Sequence, residues 1–174
     1  MATILPYNGI YPKIAKDAFI SPNAVIIGDV EIGAKSSIWY NCVLRGDVNY
    51  IRVGEGTNIQ DGTVIHVNRN NGPTIIGSGV TVGHMSLLHA CTIEDNAFIG
   101  MGARIIDDVH IESKAMVAAA ALMSPRKHVK SGELWAGVPA KFFRSLTPEE
   151  IEHIWTSAKN YIELAAEHMA LLKS

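Results

Sequence analysis

The chain has 174 residues, 48% of them hydrophobic, and a formal net charge of −2. That length suits a single domain with a filled core, and without basic runs interleaved with aromatics a nucleic-acid surface is excluded. No apolar run approaches the roughly 20 residues of a membrane helix, and Met1–Tyr7 lacks the charged-then-apolar pattern of a secretory leader, so a cytoplasmic protein without membrane partners is expected.

Residues 1–13 read as a lead-in, with Pro6, Gly9 and Pro12 opposing regular structure. From Ile14 an aliphatic residue recurs at every sixth position: Ile14, Ile20, Ile26, Ile32, Ile38 and Leu44. The register resumes at Val53, Ile59 and Ile65, then at Ile76, Val82 and Leu88, and runs from Ile93 through Ile99, Ile105 and Ile111 to Val117. A strict period of six fits neither an α-helix nor a simple alternating strand. It is the period of a hexapeptide β-helix, each hexad forming one flat face of a coil. Three hexads make a turn, so residues 14–123 predict about six triangular coils stacked at strand spacing, about 4.8 Å. The repeat domain is placed at residues 14–141, ending in the turn Trp135-Ala136-Gly137-Val138-Pro139-Ala140-Lys141.

The register slips three times. Nine residues separate Leu44 from Val53, across Arg45-Gly46-Asp47. Eleven separate Ile65 from Ile76, across the Asn- and Gly-rich stretch Asn68 to Pro73, which predicts a protruding loop. Five separate Leu88 from Ile93. Residues 142–174 hold a helix that starts at Thr147-Pro148-Glu149-Glu150, where Thr147 caps and Glu150 completes a capping box. Ile151, Ile154, Trp155, Ala158, Ile162, Ala165, Met169 and Leu172 form its apolar stripe, expected to pack on the β-helix or a neighbouring subunit. The lead-in and this helix are the candidate covers for the open ends of the coil.

Polar residues that could carry chemistry lie beside the slips. His66, His84 and His89 interrupt the repeat, and three imidazoles can hold zinc with a coordination position left open. His66 and His84 are eighteen residues apart, nominally one turn, though the intervening loop makes that alignment approximate. The alternative is histidines that only hydrogen-bond. His110, His128, His153 and His168 show no such clustering. Asn58 and Gln60 flank an inward Ile59 and are expected on the outer surface, where a neighbouring prism could bury them. Arg45 and Asp47 read by themselves as a turn with a solvated ion pair. Cys42 and Cys91 fit no metal or redox spacing and read as small buried hydrophobes.

Taken together and in order, the hexads, Leu44-Arg45-Gly46-Asp47, Asn58-Ile59-Gln60-Asp61, His66, the His84/His89 pair and Gly137-Val138-Pro139-Ala140 resemble the gamma-class carbonic anhydrases. The resemblance covers about residues 10–165. It implies an all-β solenoid, a left-handed parallel β-helix with a C-terminal α-helix, assembled as a homotrimer. It implies zinc, with iron or cobalt as alternatives, held between subunits by His66 of one chain and His84 and His89 of the next. Arg45 would pair with Asp61 across the interface, with Asp47 nearby. Gln60, Asn58 and Tyr161 would line the catalytic pocket. The implied activity is reversible hydration of carbon dioxide to bicarbonate by metal-bound hydroxide.

Two features depart from the family's pattern. Val48 stands where an acidic residue follows the Arg-x-Asp motif, and the loop Asn68 to Pro73 is short and carries no acid. Hydration needs a proton exit as well as a nucleophile, and the guanidinium of Arg69 does not release its proton. Two other functions therefore stand beside carbon dioxide hydration: a non-catalytic metal-binding or scaffolding trimer, and a hexapeptide acyltransferase using one histidine as base.

Overall fold

A computed structural model describes residues 1–70 and 72–172 of the chain. It is a left-handed parallel β-helix of about seven turns with one C-terminal helix. The hexads extend one turn beyond the six counted from sequence, because Val129 and Trp135 take the next two inward positions. One face stacks Ile20, Ile38, Ile59, Val82, Ile99, Val117 and Trp135. A second stacks Ile14, Ile32, Val53, Ile76, Ile93, Ile111 and Val129. The third stacks Ile4, Ile26, Leu44, Ile65, Leu88, Ile105 and Met123. Most of these side chains are fully buried and form one continuous core.

Close stacking dictates the small residues that follow the aliphatic ones. A Cβ on Gly54 would lie 2.5 Å from the Gly77 carbonyl carbon, and one on Gly33 2.7 Å from that of Gly54. Each contact is with backbone, so no side chain can move aside. The three breaks take different forms. The first is carried by one long strand, Val43–Val53, that turns a corner without interruption. At the second, the Asn68 amide donates to the Gly72 carbonyl at 2.7 Å, closing a tight loop; Asn71, inside that loop, lies outside the described residues. At the third, Ala90 turns with a φ of 49°.

Thr3–Leu5, within the lead-in, forms a strand that pairs in parallel with Val25, Ile26 and Ile27. It lies on the open edge of the first turn and covers it, although neighbouring Pro6 and Gly9 argued against regular structure. At the other end Glu133–Gly137 and Ala140–Ser145 form an antiparallel hairpin, not a simple exit turn. Cys42 and Cys91 are buried free thiols, and burial pushes both up to about 12.

The helix runs from Pro148 to Leu171 with the capping box at Thr147 and Glu150 in place. Arg144 holds Glu150 with two hydrogen bonds of 2.7 and 2.8 Å, tying the helix start to the hairpin. The helix covers no open end. It lies on the face formed by Phe19–Ile20, Ser37–Ile38, Asn58–Ile59 and Thr81–Val82. Ile154, Ala158 and Ala165 are buried against it, while Trp155, at 48% exposure, and Leu172 point away from it. Near its end, Phe19, Trp39, Tyr40 and His168 form an aromatic cluster, with Tyr40 Oη 2.9 Å from His168 Nδ1.

This placement overturns the expected exposure of Asn58 and Gln60, which are 1% and 5% exposed within a single chain. The protein's own helix buries them, so no neighbour is required. Their polar atoms are satisfied in series: Gln60 Nε2 donates to Asn58 Oδ1 at 3.0 Å, and Asn58 Nδ2 to Thr81 Oγ1 at 3.0 Å. Thr81 Oγ1 lies 3.2 Å from Ser157 Oγ of the helix.

Two stability measurements check this account. Gly54→Ala should lower stability by about 3 kcal/mol or more, because the added carbon meets backbone; a urea midpoint equal to wild type contradicts it. Asn58→Leu should cost about 1–3 kcal/mol by leaving the Gln60 amide and Thr81 hydroxyl short of a partner, measured the same way.

Candidate metal centre

The third face is bounded by two edges, and the polar residues divide between them. His66 and His89 occupy equivalent positions on adjacent turns, since Ile65 pairs with Leu88 and His66 with His89. Their ring centroids are 5.3 Å apart. His84 lies at the other edge, beside Asp61 of the turn before. Within one chain His66 thus stands beside His89 and apart from His84, a different grouping from the one in which His84 and His89 come together from a neighbour. The reason is residue count. The loop at Asn68 to Pro73 adds five residues to one hexad, so the turn from Val53 to Ile76 is longer than eighteen. His66 therefore aligns with His89, and not with His84 eighteen positions on.

Each of the three histidines has a carboxylate on one ring nitrogen. Asp47 Oδ1 is 2.9 Å from His66 Nε2, Asp61 Oδ2 is 2.9 Å from His84 Nδ1, and Asp107 Oδ1 is 2.5 Å from His89 Nδ1. Burial pushes the Asp47 carboxyl up, but hydrogen bonds from His66, Arg45 and the Val48 amide outweigh it and hold the group at about 2. An ionised Asp47 accepts, so His66 Nε2 donates to it and Nδ1 is the ring nitrogen turned away from the carboxylate. A neutral imidazole held by a carboxylate on one nitrogen and open on the other is the state in which histidine ligates a metal. The donor chemistry thus fits zinc. The number of ligands within one chain does not: no group of three or more His, Cys, Asp or Glu side chains that could hold a metal occurs among the described residues.

The remaining candidates fall on the same two edges. Arg45 forms an ion pair with Asp47 beside His66. Within one chain Arg45 and Asp61 are on different edges, and Asp61 faces His84 instead. Gln60 precedes Asp61 at the His84 edge. There it lines a hollow of about 260 Å³ together with His84, Phe98, Met101 and Met116. Tyr161 comes down from the helix at the same edge, packed edge-on to Trp39 at 5.4 Å. Burial raises its phenol above the ordinary range and the charge of Asp61 adds to that, so Tyr161 is a neutral hydroxyl at pH 7. Val48 packs on the core, where an acid would be costly.

Asp107 was not singled out by sequence reasoning. Its signal was available: eighteen residues after His89, the pair Asp107-Asp108 occupies a corner of the solenoid. Between the two edges the outward positions of the third face are apolar in most turns, with Val25, Val43, Val64, Leu87 and Leu122 in line around Arg104. Val64 is exposed, as are Met85 and Met101 near His84.

Residues 11–46 match the model of the bacterial transferase hexapeptide family, described as six repeats. The chain is 57% identical over 162 residues to gamma carbonic anhydrase 2, mitochondrial, of Arabidopsis thaliana, covering 90% of this chain and 58% of that one. It therefore spans about three-fifths of the plant relative's length. It is 42% identical over 168 residues to the carbonic anhydrase of Geobacillus kaustophilus (strain HTA426), covering 97% of this chain and 92% of that one. The crystal structure of a hexapeptide transferase family protein from Anaplasma phagocytophilum superposes with a TM-score of 0.92 at 54% identity, over 95% of this chain and 97% of that one. With the β-helix, the histidines and these relatives in agreement, the chain belongs to the gamma carbonic anhydrase family of hexapeptide-repeat proteins.

Proposed function

We propose that this chain catalyses the reversible hydration of carbon dioxide to bicarbonate at a zinc site shared between the subunits of a homotrimer. The observation that carries the proposal is the distribution of three carboxylate-held histidines over two edges of one face. His66 and His89 supply two ligands at one edge and His84 a third at the other, and a prism cannot fold its own edges together. A three-fold arrangement brings the His84 edge of each chain against the His66/His89 edge of the next, with every site equivalent. The apolar outer positions Val25, Val43, Val64 and Leu87 on the face between suit that contact. Arg45, with its charge partly met by Asp47, would then lie within reach of the next chain's Asp61 and fix register more than add stability.

Zinc bound there would supply Lewis acidity that makes hydroxide available near neutral pH. The chain's own residues do the rest. Gln60 is held by Asn58, so its remaining amide capacity is aimed without rotational freedom, and an amide orients a nucleophile without competing for its proton. Tyr161, a neutral hydroxyl, can donate at the same edge. The hollow bounded by Phe98, Met101 and Met116 offers a small apolar substrate a place that water fills poorly. The acids that carry the proton in the family's pattern are replaced here by Val48 and the acid-free stretch Asn68 to Pro73. Iron or cobalt would meet the same donor set. Buried free thiols suit a reducing cytoplasm, and among the described residues no helix is long and apolar enough to cross a membrane.

Protein purified with stoichiometric zinc should hydrate carbon dioxide at a rate that rises with imidazole buffer concentration, the buffer standing in for the missing shuttle. His84→Ala should lose both metal and activity. Metal-loaded protein with no hydration above buffer from about pH 6.5 to 9 would refute the activity and favour a scaffolding trimer. The similarity to the Anaplasma hexapeptide transferase family protein motivates one other assay: consumption of acetyl-CoA with amine or alcohol acceptors, expected to be absent.

A further inference from the structure

The corner after Arg104–Ile106 differs from the others. Asp107 and Asp108 both have positive φ, 28° and 61°. Among the described residues two such residues in succession occur elsewhere only at Asn8-Gly9, where glycine takes one of the places. Most other corners turn on a single one, as at Lys35, Asn96 and Lys114. Left-handed backbone at two consecutive side-chain-bearing residues is strained, and such strain persists where the surroundings over-determine it. Here the surroundings are explicit. The Asp107 amide donates to the His89 carbonyl at 2.9 Å, the Asp108 amide to the Ala90 carbonyl at 2.7 Å, and the Asp107 carboxylate closes on His89 Nδ1 at 2.5 Å. The double turn brings the carboxylate back over the turn below, where it reaches His89 while staying partly open to solvent.

The result mirrors the arrangement at His66. Asp47 holds His66 from one side of the pair, and Asp107 holds His89 from the other. The two rings, 5.3 Å apart, are bracketed by two carboxylates on the turns before and after. A carboxylate on the far nitrogen fixes the tautomer, the ring orientation and the basicity of a ligating histidine. We propose that Asp107 is a positioning residue of the metal centre, which holds the Nδ1–H of His89 so that Nε2 is kept as the ligating nitrogen. This rests on the reading of His66, His84 and His89 as the metal ligands.

The test uses the full-length protein and two readouts that do not depend on turnover: zinc affinity by competition with a chromophoric chelator, and the visible spectrum of the cobalt-substituted protein. Asp107→Gly removes the carboxylate while suiting the positive φ, and should weaken zinc binding by about 10- to 100-fold and change the cobalt spectrum. Asp107→Asn keeps an accepting oxygen without the charge, and its affinity should fall between the two. Asp108→Gly changes the same corner without touching His89, and should leave affinity and spectrum unchanged. The metal-free Asp107→Gly protein should melt no lower than wild type, which separates lost ligation from lost folding. Wild-type affinity in Asp107→Gly overturns the proposal, as does an equal loss in Asp107→Gly and Asp108→Gly. In either case stoichiometric zinc in the wild type leaves the ligand assignment standing. Failure of both the wild type and His89→Ala to take up zinc overturns that assignment and this proposal together.

Discussion

Every feature of this molecule depends on turns laid directly on one another with their backbones hydrogen-bonded. The inward aliphatic residues of successive turns lie in register, and the ladder leaves no room for a side chain at corners such as Gly33 and Gly54. A rigid ladder converts residue count into position. Where the hexads run unbroken, eighteen residues carry a side chain once around to the same place on the next turn, and each break changes that count locally, to 21 from Leu44 to Ile65 and 17 from Leu88 to Ile105. The loop at Asn68 to Pro73 is the decisive irregularity, because its five additional residues set His66 beside His89 and leave His84 an edge away.

The chemistry follows from what that framework can and cannot bring together. Within one chain it pairs two histidines and gives each a carboxylate from an adjacent turn. It gives His84 a carboxylate of its own, Asp61, and places Gln60 in the hollow beside it, with Tyr161 close enough to feel the charge of Asp61. A closed prism holds these two groups apart, with the apolar outer positions Val25, Val43, Val64 and Leu87 in line between the two edges. The C-terminal helix contributes differently. It buries Asn58 and Gln60 within the chain, where Asn58 holds Gln60 in place.

Much of this was legible in the sequence, for identifiable reasons. The period of six reports the core directly, because each inward position is filled by an aliphatic residue whose burial the fold requires. Thr147, Pro148 and Glu150 mark a helix start through local hydrogen bonds alone, and all three act as read. What was not legible depended on tertiary placement. Alternation put Asn58 and Gln60 on the outside of the sheet correctly, but gave no sign that residues a hundred positions later would cover them. Trp155 fitted the helical stripe by spacing and yet is largely exposed, because the helix turns Ile154 and Ala158 toward the β-helix instead. The partnership of His66 with His89 required knowing how many residues the loop removes from the ladder. Asp107 became meaningful only when its backbone was seen to turn its carboxylate toward His89.

The account's central claim is that each metal site is built from two chains, and complementation tests it most directly. His66→Ala and His84→Ala chains, each unable to hold zinc tightly alone, would be unfolded together, refolded as a mixture and assayed for bound zinc and hydration. A site shared between neighbours predicts recovery, because a His84→Ala chain still offers His66 and His89 to a His66→Ala neighbour that still offers His84; random assortment restores about one site in four. No recovery of zinc or activity in mixed trimers that form normally would contradict the account.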